Sequence, residues 1–275
     1  MLFTAVLISL ATMATAQETN RWTQLEPGLE LRWVLAKTPS GVGDSRIAVI
    51  RVDPARWEFV LASRSQVADA PCRTVREWAG IHDFKVAINA GMYATDYKTH
   101  VGYMESQGHV NSSGVNDYLS VAAFDPRDPA EHPHFRIFDL DEPGVSLESV
   151  RESYGSLMQN LRLIKRSGEN RWSQQDRKWS EAALGEDKDG KVLLVFSRSP
   201  FSMHDLNKEL LAAGIGLVAL QHLEGGPEAQ LYVKAGAVEL DLCGSFETSF
   251  MDNDGNAAAW PIPNALGIRP RAADD

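Results

Sequence analysis

Residues 178–199, KWSEAALGEDKDGKVLLVFSRS, hold two runs of strand-forming residues on either side of Asp189-Gly190. An Asp-Gly pair between such runs turns a chain back on itself, because glycine enters the left-handed backbone region at little cost, so the segment predicts a β-hairpin. Similar runs recur earlier: LELRWVLA, RIAVIRVD and RWEFVLAS alternate apolar and polar side chains, with Asp53-Pro54 turning the second into the third. Helix signals are fewer. Thr74 and Glu77 have the spacing of a capping box at the start of TVREWAGIH, which leads into the apolar run KVAINAGMY. Ser202 caps a predicted helix over 203–213, with Asp205 at the capping-box position, apolar residues at 203, 206, 210 and 211, and Gly214 as its stop. The next run, IGLVALQHL, reads as a strand buried on both faces.

Residues 101–124 hold strand-like pieces split by Gly and Asn, while FDPRDPAEHPHF, with three prolines, reads as loop. Many strands, several hairpins and few helices imply an α+β fold, with mixed, largely antiparallel sheets and a few flanking helices. A chain of 275 residues has room for one or two domains, and no linker-like stretch divides 17–275, which predicts a single domain. The segment before it differs. Residues 1–16 carry no charged side chain, contain an apolar run and end in Ala14-Thr15-Ala16, the small-x-small pattern of signal-peptidase cleavage. Export, to the periplasm or outside the cell, is the expectation. No other segment approaches the roughly 20 apolar residues of a membrane-spanning helix, so no stable membrane insertion is expected after cleavage. The formal net charge of −10 argues against a general affinity for nucleic acid or anionic lipid. Cys72 and Cys243 can pair in an oxidising compartment only if the fold brings them together.

The stretch LVALQHLEGGPEAQLYV, 217–233, places two carboxylates, Glu224 and Glu228, around Gly225-Gly226-Pro227. Adjacent glycines let the backbone approach a ligand closely, and the two acids would share one rim; the plain alternative is a solvated hairpin turn. Other clusters have simpler explanations. Ser202, His204 and Asp205 lie too close along the chain to line up as nucleophile, base and orienter, and helix capping accounts for them. His132-Pro133-His134 lacks a further ligand nearby, and MDNDGN lacks the sixth-position Gly and closing Glu of a calcium loop. The sequence requires no cofactor, and it leaves a divalent metal and the oligomeric state open.

Taken in order, VAINAGMY, QDRKWSEAALGEDKDGKVLLVF, ALQHLEGGPEAQLYV and PIPNALGIRP resemble the phosphodiester glycosidase family over roughly residues 74–270. The first is similar to the family's Asn-Gly-Gly-Phe-Phe segment, the second to its Arg-containing strand and hairpin, the third to its Asn-Leu-Asp-Gly-Gly-Gly-Ser-Ser segment and the last to its closing strand. The resemblance implies an exported hydrolase that cleaves the sugar–phosphate glycosidic bond of a sugar-1-phosphodiester, with that carbohydrate phosphodiester as its partner. It implies Glu224 as general base or nucleophile, Glu228 as second carboxylate or orienter, and Arg177 as a clamp whose guanidinium holds phosphate oxygens in pairs. Asn89, Gly91, Gly225 and Gly226 become substrate-contacting positions, and Arg162 and Arg198 further basic candidates.

Two departures matter: Glu224 stands where the family has Asp, and Pro227-Glu228-Ala229 replaces Gly-Ser-Ser. A subgroup with a different substrate is implied. The alternative is a non-catalytic envelope protein that binds sugar or anionic polysaccharide on the same scaffold. For the leader, N-terminal mass analysis of the exported protein is expected to find Gln17 first; a mature chain retaining Met1 contradicts the export reading.

Overall fold

The computed structural model describes residues 20–272, and antiparallel strands dominate it. The chain opens with β1 (Thr23–Glu26), β2 (Leu29–Leu35), β3 (Arg46–Val52) and β4 (Trp57–Ser63), and α1 (Val75–His82) leads into β5 (Val86–Asn89). Then come β6 (Met104–Ser106), β7 (His109–Ser112), β8 (Ser120–Pro126) and β9 (Phe135–Asp139), before α2 (Leu147–Ser153) runs directly into β10 (Tyr154–Asn160). β11 (Arg162–Lys165) and β12 (Glu169–Asn170) precede the hairpin of β13 (Trp179–Asp187) and β14 (Val192–Phe201). Last are α3 (Met203–Ala212), β15 (Leu217–Gly225), a 3-10 turn (Gly226–Glu228), β16 (Gln230–Ala235), β17 (Val238–Cys243) and β18 (Asn264–Pro270).

Three sheets result, ordered β1-β2-β3-β14-β13-β15-β11-β12, β17-β16-β5-β18-β4 and β7-β6-β10-β8-β9. They enclose one shared core. Along β3, Ala48, Ile50 and Val52 point into it, beside Phe59 and Leu61 of β4 and Leu231 and Val233 of β16. The alternate residues Ile47 and Val49 face the other way and pack under Met203, Leu206 and Leu210 of α3. Apolar side chains on both faces explain why β15 reads as a continuous hydrophobic run, and β3 is likewise buried on both faces where alternation was expected. The Phe59 ring, 6.0 and 5.3 Å from Phe124 and Phe135, joins the two smaller sheets.

Helix ends follow the local chemistry. Thr74 accepts from the Glu77 N–H while Glu77 accepts from the Thr74 N–H, a reciprocal capping box on α1. Ser202 accepts from the Asp205 N–H at 3.1 Å, so these residues cap α3 as expected, although the Asp205 carboxylate accepts from the Ser202 hydroxyl and Gln174 rather than from the Ser202 N–H. Helix α2 is capped by Ser146 and Ser149, a serine pair without the acid that marks such a box in sequence. The proline-rich segment is loop only in its middle, because Phe124–Pro126 completes β8 and Phe135 starts β9. Pro126 is tolerated as the last residue of its strand. Cys72 and Cys243 are free thiols.

The stretch that looked like a hairpin is not one. β15 lies inside the eight-stranded sheet and β16 in a five-stranded one, so the chain crosses between sheets through Gly226–Glu228.

Gly267 on β18 has no room for a side chain, since a Cβ there would run into the Phe84 ring behind α1. Gly267→Ala is therefore expected to destabilise the protein by about 1–3 kcal/mol, seen as a lower urea midpoint with an unchanged m-value.

Candidate active site

The crossover emerges where the ends of β5, β10 and β15 meet. Asn89 closes β5 and binds both sides of the crossing: its amide N–H donates to the Glu228 carbonyl at 2.8 Å, and its Oδ1 accepts from the Gln230 N–H at 2.7 Å. Both functions of the amide are thus engaged by backbone, and the expectation that Asn89 contacts substrate gives way to a latch.

A β-bulge aims the acids. Ala182 pairs with Glu224 and Ala183 with His222, leaving Leu223 as the extra residue of β15. Opposed residues share a face, so Glu224 lies on the side of Ala182, whose methyl belongs to the shared core, while His222 lies on the side of Ala183 under α3. Glu224 is 8% exposed. Burial pushes its carboxyl up to about 8; His222 pulls the other way, and the charges of Glu228 and Glu181 add to the rise. Its carboxylate accepts from the adjacent Gly225 N–H at 3.1 Å.

On the other face, Glu181 is fully buried and accepts from His222 Nδ1 at 2.7 Å and from Trp179 Nε1 at 2.7 Å. Two N–H donors on one carboxylate favour its ionised form and an imidazolium partner. Burial nevertheless holds the Glu181 carboxyl above its ordinary range. Burial pulls the His222 imidazole down, but Glu181 and then Glu224 and Glu247 outweigh it and the net direction is up. Engagement of Nδ1 leaves Nε2 as the nitrogen able to exchange protons.

Glu228 sits half-buried on the 3-10 turn, and its carboxylate accepts a short hydrogen bond from the Tyr93 hydroxyl. Burial, then this carboxylate, raise the Tyr93 phenol well above its usual range, so it remains a donor. Glu247 follows β17, with its side chain against Gly226; burial first and Glu228 second raise its carboxyl, while His222 and Arg177 oppose. Gly226 has φ +60°, and a Cβ there would come within 2.8 Å of the Glu247 carboxylate. At Gly225 a Cβ would meet the Trp179 ring at 2.7 Å. Gly91, at φ +128°, is pressed against Asn160 and His100. Asn160 is fully buried and its Oδ1 has no hydrogen-bond partner among the described residues, which leaves an acceptor beside Gly91.

The basic candidates separate. Arg177 is exposed ahead of β13 and acts electrostatically on Glu247, which sets it at the cluster's edge. Arg162 is buried and spent on Asp139 and Asp141 at 3.1 and 2.6 Å. Arg198 pairs with Asp254 at 2.6 Å and donates to the carbonyls of Cys243 and Asn256, bracing the loop that carries Glu247. Neither has a guanidinium left for phosphate, which corrects both expectations. Glu181, His222, Tyr93 and Glu247 were not singled out by sequence. For Glu181 and His222 a signal existed: titratable residues inside strands buried on both faces have to find partners there. Glu247 lies in irregular loop and carries none.

Among the described residues no three His, Cys, Asp or Glu side chains converge as a metal centre. A hollow of about 420 Å³ beside α1, lined by Arg76, Phe84, Tyr232 and Glu239 among others, shares no residue with the carboxylate cluster.

Buried acids with raised carboxyls gather here at the end of β15 and around the crossover, an arrangement found where proteins carry out proton chemistry. The family model for phosphodiester glycosidases matches residues 82–269, and the chain belongs to that family. No curated protein matches it in sequence. Among solved structures it is similar to a hypothetical protein from Synechocystis, at TM-score 0.66 and 14% identity, covering 91% of this chain and 64% of that one. It is also similar to the zebrafish N-acetylglucosamine-1-phosphodiester α-N-acetylglucosaminidase catalytic domain auto-inhibited by its pro-peptide, at TM-score 0.63 and 16% identity, covering 90% and 86%. A putative exported protein from Burkholderia pseudomallei follows, at TM-score 0.53 and 11% identity, covering 84% and 76%. At these identities the structural likeness is one of fold.

A raised carboxyl links site to stability. Protonated Glu224 is compatible with burial, so its contribution is fully present below the ordinary carboxyl range and lost as pH rises through about 8. Thermal melts of the parent and Glu224→Gln are expected to match near pH 4 and to diverge toward pH 9, where the variant is the more stable by on the order of a few kcal/mol. Parallel melts at every pH contradict the assignment.

Proposed function

We propose that this protein is an exported hydrolase that cleaves the sugar–phosphate glycosidic bond of a sugar-1-phosphodiester. The observation that carries the reading is the contrast between two neighbouring acids, Glu224 buried and held up to about 8, Glu228 half-buried and hydrogen-bonded by Tyr93. Burial keeps the proton on Glu224, while the Tyr93 hydroxyl orients Glu228 beside it, and glycoside cleavage uses two carboxyl groups of this kind.

Glu224, protonated at neutral pH, is the general acid that delivers its proton to the departing phosphate oxygen. This reverses the base or nucleophile role implied by resemblance, and burial is the reason. Glu228 is the carboxylate that acts at the anomeric carbon, as nucleophile or as base for water, with Tyr93 fixing its orientation. The departing phosphate monoester carries negative charge, so neutralising that anion matters alongside protonating it. The His222–Glu181 pair, with Trp179, lies across the sheet and acts on Glu224 electrostatically, and Arg177 supplies positive charge at the cluster's edge. Export rests on the leader, which lies outside the described residues; no helix among those described is long and apolar enough to cross a membrane.

Purified protein is to be assayed against a panel of sugar-1-phosphodiesters, with and without chelator. The expected outcome is release of free sugar and phosphate monoester, with kcat/KM falling as pH rises through about 8. Glu224→Gln is expected to lose about 10²- to 10⁴-fold in kcat together with that alkaline limb, because Gln keeps the shape and cannot donate an acidic proton. Turnover by Glu224→Gln at the parent rate overturns the acid assignment.

A further inference from the structure

Lys85 and Lys234 face each other on neighbouring strands. Val233 of β16 pairs with Val86 of β5, and the Lys234 N–H donates to the Lys85 carbonyl at 2.7 Å, so these two lysines are the next opposed pair. Opposed side chains of an antiparallel pair share a face, with Cβ atoms about 4.5–5.5 Å apart, and like charges set there are destabilising. The acids nearby are committed elsewhere. Glu239, opposite Lys234 on β17, pairs with Arg76 at 3.4 Å and accepts from the Tyr232 hydroxyl at 3.0 Å. Asp241 takes another nitrogen of Arg76 at 3.0 Å, and Glu58 pairs with Arg269. Asp83 follows α1 in the left-handed conformation, at φ 56°, and pairs with neither lysine. Among the described residues no ion pair involves Lys85 or Lys234.

Both lysines line the hollow of about 420 Å³ beside α1, together with Ala79, Gly80 and the Phe84 and Tyr232 rings. A Cβ at Gly80 would meet nothing within 4 Å, so the hollow is open on that side. Positive potential extends to His82, whose ring stacks with Trp78 and Phe84; burial, then Arg269 and Arg73, hold its imidazole below the ordinary range. In a chain of formal net charge −10 this concentration of basic groups is local. A single carboxylate would offset one ammonium. A phosphate monoester brings close to two charges on three oxygens, and a hollow of this size admits an organic body as well.

We propose that the hollow beside α1 binds an organic phosphate monoester, with Lys85 and Lys234 on the phosphate and the organic body against Phe84 and Gly80. The inference does not rest on the reading of Glu224 and Glu228. Lys85 precedes the first residue of β5 and Asn89 is its last, which separates the hollow from the crossover by about 13 Å of strand.

The test is isothermal titration of the full-length protein with phenyl phosphate at pH 8, where the monoester is a dianion, beside inorganic phosphate and benzoate at matched ionic strength. Phenyl phosphate is expected to bind more tightly than either, because inorganic phosphate lacks the body and benzoate the second charge. Lys85→Met and Lys234→Met keep the stem and remove the charge, and each is expected to raise the dissociation constant about 5-fold. Without ligand both are expected to melt no lower than the parent, since each relieves the repulsion between the lysines. Gly80→Leu fills the hollow with every charge in place, and is expected to weaken binding while leaving the helix intact, because leucine favours a helix more than glycine does. Arg177→Ala leaves the dissociation constant unaltered. No binding of phenyl phosphate, or binding that benzoate or inorganic phosphate equals, overturns the proposal. So does binding that Arg177→Ala removes and both lysine variants keep, which assigns the ligand to the carboxylate cluster.

Discussion

The side-chain amide of Asn89 makes the two hydrogen bonds on which the site's geometry rests. Where the chain leaves one sheet for another, the ladder that would pair its backbone is interrupted, and a buried unpaired N–H or C=O costs about 1–3 kcal/mol. An amide offers a donor and an acceptor a short distance apart, so Asn89 satisfies the Glu228 carbonyl and the Gln230 N–H together. Gln230 extends the arrangement, accepting from the Val75 N–H at the start of α1 and donating to the Trp260 carbonyl. The crossover is therefore positioned by a central strand, a helix start and a distant loop at once, and Glu228 inherits their rigidity.

Acids elsewhere in the protein show what is unusual about those at the crossover. Glu186, nearly fully buried, is met by Arg136 at 3.3 Å and Arg166 at 2.5 Å, and Asp139 by Arg162 at 3.1 Å. Glu224 is as secluded but has no arginine, only its neighbour's N–H and an imidazole already engaged by Glu181. Such an arrangement does not favour stability, since a buried carboxyl without a full partner either keeps its proton or destabilises the fold. Perturbed groups of this kind gather where a protein uses proton chemistry, and the arginines that neutralise the structural acids are the ones no longer available as phosphate clamps.

Much of the fold was legible in the sequence where one local rule decides the outcome. Asp189-Gly190, the Thr74 and Ser202 caps and the period-two run of β2 each follow from short-range sterics or hydrogen bonding, whereas β3 is buried on both faces. The serine-capped α2 carried a weaker signal, and the destination of β16 carried none, because which sheet a strand joins depends on its remote partners. The site divides along the same line. Glu224 and Glu228 were visible through their glycine setting, whereas the Glu181–His222 pair is formed by antiparallel register across a bulge, which no reading of either strand alone contains. Asn89 was found and its role misread, since an amide that binds backbone and one that binds substrate look alike in sequence.

The bonds that seclude the site span great lengths of chain: Asn89 and Tyr93 reach Glu228 across 139 and 135 residues, while Glu181 and His222 are 41 apart. Closing the longer loops is entropically the more costly step and follows the assembly of hairpins such as β13–β14. In the open chain Glu224 is hydrated and ionised at neutral pH, whereas in the fold burial holds its carboxyl up to about 8, so folding is coupled to uptake of a proton. The acid's proton is thus a property of the assembled sheets and not of the strand that carries it.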